Sequence, residues 1–338
     1  MTLAEPLLEV KNLKVHFPTE DGLVKAVDGV SFSISPGETL GIVGESGSGK
    51  SVSMLTTMGL ITRKQAIIEG EVIFEGQDLL KLPADEMRTI RGAKMGMVFQ
   101  DPMSSLHPFF KVGDQIVEAI RAHQNLSKKQ AMEQAIDMLR RVGIPRPDER
   151  ANQYPHEFSG GMRQRAMIAM ALVLNPDLLI ADEPTTALDV TVQAQILDLI
   201  SRLKDEFNAA VVIITHDLGV VAEHCDDIQV MYAGKAVEFG ASRDIYYSAH
   251  HPYTWGLLQS IARLDADVDR LRPIKGLPPS LIFLPRGCSF NPRCPYAFDR
   301  CRQEEPELVP ANGHHASACH LALADKERIF KEEVALTS

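Results

Sequence analysis

A glycine-rich segment, Gly44 to Ser51, holds the residues of this sequence best suited to binding a polyphosphate. It fits the pattern G-x-x-x-x-G-K-S, in which glycines let backbone N–H groups turn toward phosphate oxygens. Lys50 would reach the outer phosphates, and the Ser51 hydroxyl would coordinate magnesium. The apolar stretch Thr39 to Val43 precedes the segment, and a helix is predicted to begin near Lys50. Strand, loop and helix are the context that a phosphate-binding loop requires, which makes a merely flexible glycine-serine loop the poorer interpretation.

A second acidic element follows the apolar run Leu178 to Ala181, which delivers Asp182 and Glu183 at its carboxyl end. Nucleotides bind at this edge of open parallel sheets. Asp182 then suits magnesium, reached through water, and Glu183 suits the base that polarises an attacking water. Such a pair often only solvates a strand end, so its value here depends on its coupling to the phosphate loop.

Ser159, Gly160 and Gly161 precede a helix rich in alanine and methionine. Ser159 is a candidate N-cap, and the glycines would leave the helix N-terminus open to an anion. Taken alone, this pattern is more often a capped turn. Two phosphate-binding helix starts for one nucleotide suggest that the second faces the nucleotide of a partner subunit, in a head-to-tail dimer with ATP at the interface.

Four of the five cysteines cluster near the end of the chain with the spacing Cys-x5-Cys-x6-Cys-x17-Cys: Cys288, Cys294, Cys301 and Cys319. The gaps are wider than those of most zinc sites. Four soft thiolates in a reducing compartment favour zinc or an iron–sulfur cluster over disulfides. Three neighbouring histidines could replace one thiolate: His314, His315 and His320.

The elements that must position these groups are predicted from the hydrophobic pattern. The first forty residues alternate apolar and polar positions, which predicts antiparallel strands with one buried face. Residues from about 101 to 165 are helical in character, with one apolar face predicted between Lys128 and Val142. Leu178 to Ala181 and Val211 to Ile214 are typical of buried parallel strands. Beyond His251, the many prolines predict a tail with little regular structure.

Composition excludes several classes of protein. The 338 residues are enough for about two domains. The chain carries 35 basic and 45 acidic residues, a formal net charge of −10, which disfavours nucleic acid as the main partner. The longest apolar stretch, Ala166 to Leu174, is far shorter than the roughly 20 residues that cross a bilayer. The amino terminus lacks a signal-peptide pattern, so a reducing cytosol is expected.

In their order along the chain, these motifs resemble those of the ATP-binding cassette of ABC transporters, over roughly Leu7 to Ala249. Met162 stands where the widespread signature has glutamine, a variant similar to that of peptide permease ATPases. The matched segments are the Walker A loop Gly44 to Ser51, the Q-loop Gln100, the signature Ser159 to Gly161, the Walker B pair Asp182 and Glu183, the D-loop Ala187 to Asp189, and the switch histidine His216.

The resemblance implies an α/β fold: a P-loop ABC cassette with a mixed-sheet core, an antiparallel β subdomain and a helical insert, followed by a small Cys/Pro-rich extension. We expect the cassette at residues 1–250, with its helical subdomain at about 101–165, and the extension at residues 251–338.

The resemblance also assigns roles. Catalysis would fall to Glu183, His216 and Lys50. ATP would be bound by Phe17, which lies where the family stacks an aromatic on adenine, together with Gly44, Glu45, Ser46, Gly47, Ser48, Gly49, Lys50, Ser51, Val52 and Gln100. Magnesium would be held by Ser51, Gln100 and Asp182, and a partner's ATP would be contacted by Ser159, Gly160, Gly161 and the D-loop Asp189.

The tail narrows the family. Its segments His251 to Thr254, Gly287 to Cys288 and Asn291 to Pro295 resemble the carboxyl extension of dipeptide and oligopeptide permease ATPases, whose members carry a [4Fe–4S] cluster. The resemblance implies such a cluster on the four cysteines, with Zn²⁺ as the alternative, and a role in bracing the tail.

The function implied is ATP hydrolysis that powers import of dipeptides or oligopeptides, from the cytoplasmic side of the inner membrane, as a peripheral subunit. The implied partners are two membrane-spanning permease subunits, a second and paralogous ABC ATPase subunit, and indirectly a substrate-binding protein. The coupling helix of the permease would dock beside Gln100 on the helical insert. Alternatives are an importer of nickel or another small solute, a soluble ABC ATPase of translation or DNA repair, and a redox sensor that uses ATP as a signal.

Overall fold

The computed structural model describes residues 5–186, 188–260 and 274–334. The predicted D-loop residue Ala187 therefore lies outside the described residues, as do residues 261–273 and 335–338 of the predicted extension. No helix in the described part is both long and apolar enough to cross a membrane.

The elements follow in this order: β1 Leu8–Thr19, β2 Gly22–Ile34, β3 Thr39–Val43, α1 Lys50–Thr57, β4 Ile67–Phe74, β5 Gln77–Asp78, α2 Ala84–Ile90, β6 Met95–Val98, α3 Pro102–Ser105, α4 Val112–His123, α5 Lys128–Arg141, α6 Pro147–Arg150, α7 Gly160–Leu172, β7 Leu178–Asp182, α8 Val190–Phe207, β8 Ala210–Thr215, α9 Leu218–His224, β9 Asp227–Tyr232, β10 Lys235–Ala241, α10 Ser242–Tyr247, α11 Pro252–Gln259, α12 Asp299–Gln303, β11 Val309–Asn312, β12 His315–Ser317 and α13 Leu323–Ile329.

The chain divides into two compact units that alternate along the sequence. The helical unit comprises residues 5–7, 35–38 and 81–213, and the strand unit comprises residues 8–34, 39–80 and 214–334 within the described ranges. The predicted boundary between the cassette and the extension, near residue 250, does not coincide with this division into two units, and it stays a prediction.

The strand unit contains the antiparallel sheet predicted for the first forty residues. Its strand order is β2-β1-β4-β5, and β1 pairs with β2 from Leu8↔Ile34 to Thr19↔Gly22. Alternate β1 residues, among them Leu8 and Val10, are buried because successive side chains point to opposite faces of a strand. The same unit contains strands in the order β11-β12-β10-β9-β3, with β3 parallel to β9.

The helical unit confirms the predicted helical stretch. Ser127 caps α5: its hydroxyl accepts the Gln130 N–H, while the Gln130 side chain accepts the Ser127 N–H. Strand β6 runs parallel to β7, and β7 and β8 are buried throughout, as predicted. The predicted apolar face of α5 is buried at Ala131, Ala135, Met138 and Leu139.

The tail is more regular than predicted. Strand β12 extends a sheet by pairing with β10, from Glu238↔Ser317 to Phe239↔Ala316, and β11 pairs with β12. His251 caps α11, since its Nδ1 accepts the Tyr253 N–H at 3.1 Å. The high proline content of the tail did not predict β11 and β12. Strand β12 pairs with β10, which lies far away in the sequence, so no local pattern indicates the pairing.

A buried carboxylate joins the tail to strand β10. Glu238 is fully buried and accepts the backbone N–H groups of His250 and His251, while the His315 Nε2 lies 2.8 Å from its Oε1. The His250 ring stacks on His315, with centroids 4.1 Å apart and planes within 6° of parallel. Both His250 ring nitrogens are buried without a hydrogen-bond partner. This ring therefore serves as a packing surface in its neutral form.

The neutral state of His250 predicts a loss of stability in acid. Burial, with a smaller electrostatic contribution from the neighbouring His315, lowers the pKa of His250 to about 4. The unfolded chain takes up this proton near pH 6.5, so folding stability falls as the pH drops from about 6.5 toward 4. Between about pH 7 and pH 5 this group accounts for a loss of about 2 kcal/mol.

We expect His250→Phe to keep the stacked ring and to remove about 2 kcal/mol of this acid-dependent loss, measured as the free energy of urea unfolding at the two pH values. His156→Gln, at an exposed position, is the control and should leave the pH dependence unchanged. An undiminished acid loss in His250→Phe would assign the effect to other groups.

Candidate nucleotide site and cysteine site

The phosphate loop is held by close backbone packing in the strand unit. A Cβ atom on Gly44 would lie 2.2 Å from the Met231 carbonyl oxygen, and one on Gly49 would lie 2.3 Å from the Ala26 carbonyl oxygen. Gly49 also has φ +103°, and it caps the N-terminus of α1 without a side-chain hydrogen bond. The first N–H groups of α1 therefore begin at a point that only glycine can occupy, which suits an anion site.

Lys50 is folded back onto this loop. Its Nζ donates to the carbonyl oxygens of Gly44 at 2.6 Å and Glu45 at 3.0 Å, and the side chain is buried. The Ser48 hydroxyl is buried in the same loop and has no hydrogen-bond partner. A cationic side chain and an unpartnered hydroxyl in a backbone cradle fit a phosphate group.

Glu183 lies immediately after β7 in the helical unit, in a left-handed conformation with φ +45°. Its Oε2 accepts hydrogen bonds from Gln100 Nε2 at 2.7 Å and from the Thr186 hydroxyl at 2.9 Å. Gln100 follows β6, the strand parallel to β7, so the two predicted residues meet at the carboxyl ends of neighbouring strands. A left-handed backbone at a non-glycine residue costs about 1–2 kcal/mol, and the turn after β7 carries this strain at Glu183.

The other predicted positions occupy helix starts and strand ends. In the helical unit, Ser159 caps α7 by accepting the Met162 N–H at 3.3 Å, and Asp189 caps α8 by accepting the Val192 N–H at 3.0 Å. Asp182 is the buried last residue of β7. In the strand unit, Phe17 lies in β1 opposite Val24, and His216 directly follows Thr215.

The four clustered cysteines line one small cavity in the strand unit, together with His251 and His320. Cys288, Cys294, Cys301 and Cys319 are free thiols, and Cys225 does not line this cavity. Burial raises the pKa of Cys288 to about 11 and of Cys294 to about 12, and it also raises the pKa of Cys319. These thiols are therefore protonated at neutral pH unless a cation replaces the protons.

Among the described residues, one group brings three potential metal-ligand atoms within 4.8 Å of one another, and it is Glu238, His250 and His315 rather than any set of cysteines. Thiolates around a single zinc at 2.3 Å would lie about 3.8 Å apart. No three of these sulfurs lie within 4.8 Å of one another, so the four are not gathered as closely as the ligands of one zinc ion. A histidine nitrogen binds a metal ion that lies close to the plane of its ring. The rings of His250 and His315 are stacked nearly parallel, so one ion cannot lie close to both ring planes.

The histidines proposed as substitutes for a thiolate have other partners. His315 is bound to Glu238, and His314 Nε2 lies 3.1 Å from Asp227. His320 lines the cavity, but its Nε2 lies 3.0 Å from the Glu304 carbonyl oxygen.

Comparison with known proteins identifies the family. The family model described as "ABC transporter" matches residues 27–186, and the one described as "Oligopeptide/dipeptide transporter, C-terminal region" matches residues 237–301. The oligopeptide transport ATP-binding protein OppD of Haemophilus influenzae is 51% identical over 94% of this chain and 98% of its own length. The chain belongs to the ABC transporter family of oligopeptide and dipeptide transport ATP-binding proteins. It is a cassette ATPase.

Other relatives agree with this assignment. The dipeptide transport ATP-binding protein DppD of Bacillus subtilis is 51% identical over 94% of this chain and 95% of its own length. The solved dimeric ATP-binding cassette MJ0796, in a post-hydrolysis state with ADP and Pi, is 29% identical and superposes with a TM-score of 0.63, covering 70% of this chain and 99% of that one. The ABC cassette fold predicted from the sequence is thereby confirmed.

Three side chains around the predicted sites of this ABC ATPase were missed by sequence reasoning. Thr186 binds the Glu183 carboxylate, while Tyr253 and Arg293 bind Glu45 of the phosphate loop. Thr186 lies three residues after Glu183, a spacing that allows such a bond within a turn and could have suggested it. Nothing local in the sequence links Glu45 to Arg293, because 248 residues separate them.

The close packing of the phosphate loop predicts a sharp contrast between two of its glycines. Gly49→Ala places a Cβ against the Ala26 carbonyl, so the backbone must shift, and we expect a loss of about 2–3 kcal/mol in the free energy of unfolding with weaker ATP binding. Gly47→Ala meets no atom within 4 Å and carries only the strain of φ +79°, about 1 kcal/mol. Urea unfolding and binding of a fluorescent ATP analogue measure both effects. Equal effects of the two substitutions would contradict the packing argument.

Proposed function

We propose that this chain is the ATP-hydrolysing subunit of a peptide importer, which powers entry of dipeptides or oligopeptides from the cytoplasmic side of the inner membrane. The observation that carries the proposal is the similarity to oligopeptide and dipeptide transport ATP-binding proteins over nearly the whole chain, including the separate match to their C-terminal region. The named relatives favour peptides over nickel and over a soluble ATPase of translation or DNA repair.

The phosphate loop would bind the ATP phosphates. Lys50 would bind phosphate oxygens from the position that its bonds to the Gly44 and Glu45 carbonyls set, and the unpartnered Ser48 hydroxyl would donate to another phosphate oxygen. The open N-terminus of α1 adds the N–H groups at its start. The remaining predicted positions of the loop and its flank would contact the nucleotide mainly through backbone groups: Ser46, Gly47, Gly49 and Val52. Phe17 would stack on adenine.

Glu183 would orient the attacking water, with His216 and Lys50 stabilising the γ-phosphate. Its carboxylate direction is already set by Gln100 and Thr186, so little reorganisation is needed at the moment of reaction.

Magnesium would be held by the Ser51 hydroxyl, by Asp182 and by Gln100. The Gln100 side chain donates its NH₂ group to Glu183. Its amide oxygen is the atom that would bind magnesium, because hard cations prefer oxygen ligands. The ion supplies charge neutralisation of the phosphates when bound.

A second cassette, a paralogue, would complete the site. The capped helix start at Ser159, Gly160 and Gly161 would face the ATP of that partner, and Asp189 would lie at the same interface. The solved relative MJ0796 is a dimer, which supports this arrangement.

The helical unit would dock on two membrane-spanning permease subunits, to which a substrate-binding protein delivers peptide. Its exposed apolar side chains support this, because Phe109 is 81% exposed and Phe110 and Met103 more than half exposed. They follow Gln100, where the coupling helix of the permease is expected. Large apolar side chains exposed together mark interaction surfaces.

The cysteine cavity would hold a [4Fe–4S] cluster on Cys288, Cys294, Cys301 and Cys319. The support is that four thiols line one cavity, and that no three of their sulfurs lie within 4.8 Å of one another, as single-zinc ligands would. Such a group would cross-link the segments of the extension that carry the four cysteines.

The proposed function is tested by transport. Purified chain, its paralogous cassette and the permease are reconstituted in vesicles that enclose ATP, and uptake of radiolabelled dipeptide and tetrapeptide is followed with the substrate-binding protein and peptide outside. Glu183→Gln should bind ATP yet slow hydrolysis and uptake by about 100-fold or more, since a general base contributes at least that factor.

Glu133→Gln, at an exposed position of α5, is the matched control and should transport normally. Uptake of nickel in place of peptide would overturn the substrate assignment. Near-normal turnover in Glu183→Gln would overturn the role of that carboxylate.

The cysteine proposal predicts that anaerobically purified chain is brown, absorbs broadly in the visible range and contains iron in cluster stoichiometry. Cys301→Ser should abolish the colour, because it removes one of four ligands, while Cys225→Ser should retain it. A colourless chain with stoichiometric zinc would instead support the alternative metal.

A further inference from the structure

Glu45 occupies a position where the phosphate-loop pattern allows any residue, yet it has three strong contacts with the carboxyl-terminal extension. Its two carboxylate oxygens accept hydrogen bonds from Arg293, at 2.6 Å from Nη1 and 2.9 Å from Nη2. Its backbone N–H donates to the Tyr253 hydroxyl at 2.7 Å. The second residue of the loop is therefore held through both its side chain and its main chain.

The groups that hold Glu45 are themselves fixed. The Arg293 side chain is only 4% exposed, its Nε donates to the Lys275 carbonyl, and its guanidinium lies over the rings of Tyr232 and Phe290. Tyr253 is fully buried, and burial raises the pKa of its hydroxyl, which stays protonated. A buried, bidentate pair between guanidinium and carboxylate is strong and strongly directional.

The contacts of Glu45 continue into the phosphate loop. The Glu45 carbonyl accepts a hydrogen bond from Lys50 Nζ at 3.0 Å and another from the Ser48 N–H at 3.2 Å. Displacing Glu45 would therefore move the acceptor that orients Lys50 and would loosen the turn that carries Ser48. A loop already ordered in its binding geometry spends less free energy on ordering when phosphate arrives.

We propose that Arg293, assisted by Tyr253, is a positioning residue for ATP: through Glu45, the carboxyl-terminal extension holds the phosphate loop in its binding geometry and so sets the affinity for nucleotide. The inference rests on the proposed role of the loop in binding ATP. The extension would then contribute to nucleotide binding by the ATPase cassette.

The test compares Arg293→Gln, Glu45→Gln and the double variant with the wild-type chain. The readouts are the Kd of a fluorescent ATP analogue, and kcat and KM for ATP in the assembled transporter. Each single variant should raise Kd and KM about tenfold, corresponding to about 1.4 kcal/mol, with kcat changed less than about twofold, because a loop that binds ground state and transition state alike affects KM. The double variant should bind no more weakly than either single variant, since both remove the same interaction.

Two further variants keep the test decisive if loss of the buried guanidinium impairs folding. Tyr253→Phe removes only the acceptor of the Glu45 N–H and should raise Kd by a smaller factor. Arg300→Gln is the matched control, an exposed arginine beside Cys301 that pairs with Glu304, and should bind ATP as the wild type does. Metal content and visible absorbance, unchanged in Arg293→Gln, would separate the effect from loss of the cysteine site.

Wild-type affinity in both Arg293→Gln and Tyr253→Phe, or additive effects of Arg293→Gln and Glu45→Gln, would overturn the inference while leaving the proposed function intact. A wild-type chain that binds no ATP analogue would overturn the proposed function and this inference with it.

Discussion

The close approach of the phosphate loop to two strands is the constraint on which the nucleotide site depends. Gly44 lies against the Met231 carbonyl at the end of β9, and Gly49 lies against the Ala26 carbonyl in β2. No side chain fits between these backbones. The close contacts therefore restrict the backbone conformation of the loop and fix the residue at which α1 begins. The positions of Lys50 and of the first N–H groups of α1 follow from that conformation.

The carboxyl-terminal extension contains buried polar groups as well as buried apolar side chains such as Trp255 and Phe290. Glu238 is satisfied by two backbone N–H groups and His315, Arg293 by Glu45, and Lys326 by the Ser317 hydroxyl at 2.8 Å. Buried polar and charged groups are costly unless they are hydrogen-bonded or paired, and each of these groups has such a partner. Such interactions specify one arrangement of chain segments more strictly than apolar contacts do, which suits an extension that must meet the phosphate loop at Glu45.

Glu183 illustrates how the helical unit fixes the direction of a side chain. The residue adopts a left-handed backbone, and two donors fix its carboxylate. The backbone strain lies at Glu183 itself. The two hydrogen-bond donors to its carboxylate are Thr186, in the turn after β7, and Gln100, which follows β6. A carboxylate whose direction is set before the substrate arrives is the arrangement expected of electrostatic preorganisation.

The sequence by itself determined the local elements: the phosphate loop with its flanking strand and helix, the antiparallel strands β1 and β2, the amphipathic face of α5, and the cap at Ser159. These depend on the period of the apolar residues and on backbone preferences of glycine and serine, which act over a few residues. The tertiary structure alone decided that β12 would pair with β10, that Gln100 would bind Glu183, and that Arg293 would bind Glu45. Those contacts join residues 77 or more positions apart, and no local preference encodes them, because a long-range pair depends on the path of all the chain between its partners.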